Sequence, residues 1–280
     1  MNDNDLRSFI LNAFAEDTGG GDHSSLASIP SDATGRARLL VKEEGIISGL
    51  RVAREVFNVA DPSLEVDILL NDGDGVKYGD IALTVAGRVH PILRAERIML
   101  NIMQRMSGIA TATAYYTEAI RDTHARITDT RKTTPGMRAL EKEAVRTGGG
   151  VNHRMGLYDM IMLKDNHIDY AGGITAAIER TREYLKKHLL NLKIEVEARN
   201  IKEVREILDA GGVDRIMLDN FTIPDTKEAV TLIAGQTETE SSGGITMANV
   251  RDYALCGVDY ISIGALTHHI KSLDMSLKAY

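Results

Sequence analysis

The chain has 280 residues, 43% hydrophobic and 26% charged, which at roughly 150 residues per domain suggests two domains or one large α/β barrel. Its net charge of −7 argues against nucleic-acid binding, because a surface that neutralises phosphates is normally basic. The single cysteine, Cys256, excludes an intrachain disulfide and a cysteine-based metal cluster and fits a reducing compartment.

The acidic start MNDNDLRSFI lacks a basic region followed by an apolar run, so no secretory signal is read there. No stretch approaches the ~18 apolar residues of a membrane span. The expectation is a soluble, cytoplasmic protein without membrane or nucleic-acid partners. Leu6, Phe9, Ile10, Ala13 and Phe14 have helical spacing, and 16–22 reads as a loop. Strands are expected at 36–42, 46–48, 64–70 and 81–89, with a helix over 50–59. Asn71-Asp72-Gly73 and Tyr78-Gly79-Asp80 interrupt them, and both look like hairpin turns. From Ile92 to about Ile120 only Ser107-Gly108 breaks a helical pattern, and a domain boundary is placed at 108/109. Met99, Met103 and Met106 have helical spacing and read as core or dimer-interface packing. Arg105 lies on another face of that helix.

Beyond it the pattern changes. Short β-rich runs at 126–130, 160–164, 193–197, 215–219, 237–241 and 260–264 alternate with helical patterns near 139–147, 174–188, 201–210, 225–234 and 246–255. Strand alternating with helix argues for a parallel sheet with right-handed crossovers, and about six such units favour closure into a barrel. Positions 197 to 219, 219 to 241 and 242 to 264 are each 22 apart, as compact strand–helix units would be.

In a β/α barrel the carboxyl ends of the strands converge on one face, where the active site forms. The residues at those ends are Thr130-Arg131-Lys132, Lys164-Asp165-Asn166, Glu197, Asp219, Ser241-Ser242-Gly243-Gly244 and Gly264-Ala265. Charges near a strand end are costly unless paired or liganded, so the ring reads as a site. Ser242-Gly243-Gly244 and Gly264-Ala265 follow the last two strands, where glycines let backbone N–H groups approach phosphate oxygens. Glu197 and Asp219 end adjacent strands and could share a proton, bind a divalent cation or accept from sugar hydroxyls. Beside a phosphate pocket, Mg²⁺ with a sugar phosphate is the economical choice. Glu195 shares a face with Glu197 and is an equal candidate ligand. Arg131-Lys132, His153-Arg154, Lys164 and His167 concentrate positive charge in an acidic protein, which suits a small polyanion. Lys164 at a strand end is also a candidate Schiff-base lysine, which would make the protein a lyase. His268-His269 read as hydrogen-bonding groups at the phosphate end. His23, His90, His124 and His188 read as structural or exposed.

Taken together, Thr130-Arg131-Lys132-Thr133-Thr134-Pro135-Gly136, Gly149-Gly150-Val151-Asn152-His153-Arg154 and Leu163-Lys164-Asp165-Asn166-His167 resemble the quinolinate phosphoribosyltransferase family. So do Val196-Glu197, Met217-Leu218-Asp219-Asn220-Phe221, Glu240-Ser241-Ser242-Gly243-Gly244-Ile245 and Ser262-Ile263-Gly264-Ala265-Leu266-Thr267-His268. Glu16-Asp17, Gly21-Asp22 and Gln104-Arg105-Met106-Ser107-Gly108-Ile109-Ala110-Thr111 extend the likeness over nearly the whole chain. His23 after Gly21-Asp22 departs from it, where Thr or Ser is expected.

The resemblance implies an α/β fold of two domains: an N-terminal α/β sandwich, 1–108, joined by the last few residues, and an incomplete β/α barrel of about six strands, 109–280. It implies a head-to-tail homodimer with shared active sites, compatible with further assembly into hexamers, in which Arg105 reaches the partner's site. Thr130, Arg131, His153, Arg154 and Lys164, with Lys132 close by, would bind quinolinate. Glu197 and Asp219 would hold the ribose hydroxyls and Mg²⁺ of phosphoribosyl pyrophosphate. Ser242, Gly243, Gly244, Ile263, Gly264, Ala265 and His268 would cradle its 5-phosphate. Lys132, Lys164, Glu197 and Asp219 carry the catalytic expectation, and the products would be nicotinate mononucleotide, pyrophosphate and CO₂. A non-catalytic binder of the same ligands is the remaining alternative.

Overall fold

A computed structural model describes residues 2–280, which divide into two compact units. The first comprises residues up to Ala114 together with Thr133–Gly149 and Leu266–Tyr280; the second comprises Tyr115–Lys132 and Gly150–Ala265. The division falls after Ala114 rather than at 108/109; Leu266–Tyr280 lies in the first unit, to which the resemblance assigns the last few residues, and Thr133–Gly149, placed in the barrel by its position along the chain, lies there too.

In the first unit α1 (Asp3–Thr18) opens with Asn2 accepting the Asp5 N–H at 2.8 Å and with Asp3 and Asp5 in its first turn, where the helix dipole favours negative charge. It runs through 16–18, expected as loop, because nothing breaks it before Gly19. A short helix, α2 (His23–Ser28), starts where Asp22 caps Ser25; the sequence pattern shows no helix there. Then follow β1 (Thr34–Val41), β2 (Gly45–Ile46), α3 (Leu50–Ala60), β3 (Glu65–Ile68), β4 (Gly75–Val76) and β5 (Ile81–Arg88). The expected hairpins do not form: β3 pairs with β5 and β4 pairs with β2, so neither turn joins strands that pair with each other. α3 buries Val52, Ala53, Val56 and Phe57 along one stripe, the apolar face that an amphipathic helix must cover.

Helix α4 (Val89–Ala119) is continuous through Ser107-Gly108. Met99, Met103 and Met106 on it are fully buried core residues. A Cβ at Gly108 would stand 2.3 Å from the Lys271 carbonyl oxygen, so this close approach of two backbones requires glycine. The helix α5 (Arg138–Thr147), which the strand–helix alternation assigns to the barrel, belongs to the first unit. The last strand of the chain, β12 (Met275–Ala279), pairs antiparallel with β1 and completes the order β12-β1-β5-β3.

The second unit holds β6 (Arg126–Thr128), β7 (Ile161–Leu163), α6 (Asp165–Ala171), α7 (Ile174–His188), β8 (Ile194–Ala198), α8 (Ile201–Ala210), β9 (Arg215–Asp219), α9 (Ile223–Ile233), β10 (Glu238–Ser242), α10 (Val250–Leu255) and β11 (Tyr260–Ser262). The four-residue α11 (Ala265–His268) follows. The six strands are parallel in the order β6-β11-β10-β9-β8-β7. This is barrel order with one open seam, between β6 and β7. Several strands end earlier than expected, so Lys164 caps α6 and Gly264 lies in a loop. Among the described residues no helix is long and apolar enough to cross a membrane.

Candidate active site

The parallel strands deliver their carboxyl-end residues to one face of the second unit, as sequence reasoning expects. After β6, buried Asp129 accepts the His153 N–H at 2.9 Å and the Asn152 side chain at 2.5 Å. One carboxylate thereby ties the segment after β6 to the segment before Arg154. Thr130 Oγ1 accepts the Lys132 N–H at 3.0 Å, which tightens the turn that carries the exposed Arg131 and Lys132.

Arg154 is buried, and its Nη1 donates to the Met160 carbonyl at 3.1 Å. Burial and the nearby Arg131 guanidinium pull its pKa down, while Glu195 and Asp159 oppose them. Two neighbouring guanidiniums are able to receive an anion, because an arriving carboxylate relieves their repulsion. Lys164 Nζ lies 2.7 Å from Glu197 Oε2. An ammonium has three donors, so Lys164 can keep this partner and still reach a ligand.

His153 differs from that pattern. Its Nε2 is 2.9 Å from Glu195 and 3.3 Å from Glu240, and its Nδ1 accepts the Arg154 N–H at 2.7 Å. Burial pulls the imidazole pKa down, but the two carboxylates outweigh it and carry the value up to about 9. Nδ1 accepts the main-chain N–H of Arg154, which leaves Nε2 as the ring nitrogen that faces the two carboxylates; burial and Glu240 push the Glu195 carboxyl up. The expectation that His153 grips a substrate carboxylate directly thus meets a ring whose two nitrogens already have partners.

Glu195, expected as an equal alternative to Glu197, belongs to this buried group, whereas Glu197 faces Lys164. The ligand atoms of His153, Glu195 and Glu240 lie within 4.8 Å of one another. Arg215 approaches this group from one side: its Nη1 is 2.9 Å from Glu240 and its guanidinium stacks 3.7 Å over the Tyr260 ring.

On the opposite side of the ring of strand ends, Asp219 ends β9 beside Ser242 at the end of β10, in register with it. The Asp219 carboxylate accepts the Asn220 side-chain amide at 2.7 Å, and the Asn220 N–H donates to the Ser242 carbonyl at 2.8 Å. Asn220 has φ 56 and Gly243 has φ +90, and a Cβ on Gly243 would stand 2.2 Å from Asn220 Oδ1. Gly243 therefore lets the 242–244 loop pack directly onto the residue after Asp219. Ile263 donates its N–H to the Thr128 carbonyl at 3.0 Å, placing Gly264 and Ala265 just beyond β11.

Arg105 and His268 belong to the first unit. Arg105 Nε donates to Glu141 at 2.8 Å, and its Nη2 donates to Thr134 Oγ1 and to the Thr267 carbonyl, each at 2.8 Å. The fully buried Glu141 also accepts the Thr134 N–H, so it orders both the arginine and the loop that follows Lys132. The Nδ1 atoms of exposed His268 and His269 are 2.6 Å apart. Sequence reasoning missed Glu240, Arg215, Asp129 and Glu141. The one signal available was the alternation of Glu238, Glu240 and Ser242, which puts all three on one face of a strand.

Two family models match the chain: the quinolinate phosphoribosyl transferase N-terminal domain over residues 22–107 and its C-terminal domain over residues 109–278. A chloroplastic nicotinate-nucleotide pyrophosphorylase [carboxylating] from Arabidopsis thaliana is 47% identical over 293 residues, covering 98% of this chain and 82% of the relative. The Nicotiana tabacum quinolinate phosphoribosyltransferase [decarboxylating] 1b is 46% identical over 289 residues with the same coverage. The crystal structure of NadC from Streptococcus pyogenes superimposes with a TM-score of 0.94 at 39% identity, covering 100% of this chain and 99% of that one.

Proposed function

The chain belongs to the quinolinate phosphoribosyltransferase family, and we infer that it transfers the phosphoribosyl group of phosphoribosyl pyrophosphate to quinolinate with decarboxylation. The products are nicotinate mononucleotide, pyrophosphate and CO₂, a step of NAD biosynthesis. The observation that carries this reading is the division of one ring of strand ends into a cationic side (Arg131, Arg154, Lys164) and an acidic, glycine-rich side (Glu197, Asp219, 242–244). Quinolinate supplies two carboxylates to the first, and a sugar diphosphate suits the second. Neither side suits the Schiff-base lyase alternative, in which Lys164 would face a carbonyl carbon rather than Glu197.

Arg131, Arg154 and Lys164, with Thr130 and Lys132 at the edge, hold the two carboxylates and so aim the pyridine nitrogen at C1 of the ribose. Arg105 of a homodimer partner completes this grip; its buried Glu141 anchor, which fixes the side chain on its own subunit, supports that role. Backbone N–H groups of Ser242, Gly243, Gly244, Ile263, Gly264 and Ala265 receive the 5-phosphate, with His268 close along the chain. Glu197 and Asp219 accept from the ribose hydroxyls.

Their carboxylate oxygens are also the hard donors that suit Mg²⁺, which when bound neutralises the charge of the departing pyrophosphate. No covalent nucleophile is needed. The nitrogen attacks C1 through an oxocarbenium-like state, the ring becomes cationic, and the bond to the adjacent carboxylate gives up its electrons to the ring as CO₂ leaves; the carbanion is then protonated. A cytoplasmic location belongs to the same proposal, and the single Cys256 fits a reducing compartment of that kind.

The test is Arg154→Ala. KM for quinolinate should rise by roughly a hundredfold, and KM for phosphoribosyl pyrophosphate should change far less. Equal effects on the two would remove Arg154 from the acid's site.

A further inference from the structure

The interior of the second unit carries charges that neither substrate touches on the reading above. Glu195 on β8 and Glu240 on β10 are 0% exposed, and Arg215 on the strand between them is 7% exposed. Arg215 bonds Glu240 at 2.9 Å and Glu238 at 3.0 Å. His153 approaches Glu195 and Glu240 at 2.9 and 3.3 Å. Such a cluster contributes little net stability, because removing several charges from water offsets most of their mutual attraction. Its significance lies in what it holds in place.

What it holds is Arg154. His153 Nε2 stands at ion-pair distance from the two carboxylates, and its Nδ1 accepts the main-chain N–H of Arg154. The Arg154 side chain itself is anchored at the Met160 carbonyl. The His153 backbone is pinned separately by Asp129. Glu195 and Asp159 are the negative groups that oppose the Arg131–Arg154 repulsion.

We propose that Glu195 and Glu240 are positioning residues for the quinolinate carboxylate site: through His153 they orient the segment that carries Arg154, and Glu195 adds buried acidic surroundings near Arg154. This rests on the functional reading above, which makes quinolinate the anion received. Neither glutamate contacts substrate. Each acts through the imidazole, as supporting groups act through the ligands they orient.

The test is steady-state kinetics of the full chain with Glu240→Gln, begun once the wild type has been shown to convert quinolinate. KM for quinolinate should rise roughly tenfold. KM for phosphoribosyl pyrophosphate should stay within about twofold, and kcat should fall less than the quinolinate KM rises. Glu240→Asp, which keeps the charge, should recover part of the loss.

Glu240→Gln leaves Arg215 with Glu238 alone and can disturb folding. The Arg215→Met/Glu240→Gln double variant restores the charge count, and the raised quinolinate KM should persist in it. A folded double variant with wild-type quinolinate KM, or with both KM values raised alike, overturns the proposal. A wild type that forms no product overturns the functional reading instead, and calorimetric titration of quinolinate into wild type and double variant then tests the positioning alone.

Discussion

Strands β1 and β8 show two ways to build a sheet. In β1 burial alternates, and its buried residues are Ala37, Leu39 and Val41, the pattern of an antiparallel strand with one face packed. In β8 all five residues are buried, and two of them are Glu195 and Glu197. Its neighbours add Arg215 from β9 and Glu240 from β10. A parallel strand covered on both faces reads as apolar when it serves packing alone. Carboxylates inside such a sheet must be paired or used, and here one side chain does each: Glu195 is paired with His153, whereas Glu197 faces the site through Lys164.

If the acidic strand ends exist for chemistry and β1 with its helices for packing, substitutions in the two should separate activity from stability. Asp219→Asn should lower kcat/KM by roughly 10²–10³-fold and leave the urea midpoint nearly unchanged. A large loss of stability would mean that Asp219 is structural. Phe57→Ala, on the buried face of α3 in the first unit, should do the reverse: about 3–5 kcal/mol less stability, with the activity per folded molecule retained.

A smaller effect follows from His153. Its folded pKa, about 9, lies above the ordinary ~6.5 of the unfolded chain. The stabilisation is therefore fully present below pH ~6.5 and is lost as pH rises through about 9. Denaturant midpoints should decline across that window and be flatter in His153→Gln; equal slopes would contradict the shift. Smallest of all, breaking the exposed Arg251–Asp122 pair, bonded twice at 2.7 and 2.8 Å, should leave the denaturant midpoint of Arg251→Ala nearly unchanged, because solvent screens it; a clear drop would contradict this.

Features encoded by a few adjacent residues were legible in the sequence. The bounds of α7, α8 and β9 coincide with their periodic patterns, and the strand-end residues follow from locating each strand. In the first unit, pairing depended on partners far along the chain, so turn chemistry at Asn71-Asp72-Gly73 suggested a hairpin that β5 overrides by pairing with β3. The helix after Asp22 hides in a polar Gly-Asp-His-Ser-Ser run that also suits a turn. The site divided the same way. Arg131, Lys164, Glu197, Asp219 and Gly243 each end a strand or begin a loop and could be located one by one. The His153–Glu195–Glu240–Arg215 group joins three strands and a loop across the sheet interior, and Glu141 reaches Arg105 from another helix; no spacing along the chain records either.

The most direct measurement is chromatography of the products formed from phosphoribosyl pyrophosphate and Mg²⁺ with quinolinate in one tube and nicotinate in a parallel one. Nicotinate mononucleotide from quinolinate alone is the expected result, because the proposed roles of Arg131, Arg154 and Lys164 call for two carboxylates. Product from nicotinate at a comparable rate, or none from either tube with folded protein, would contradict the account.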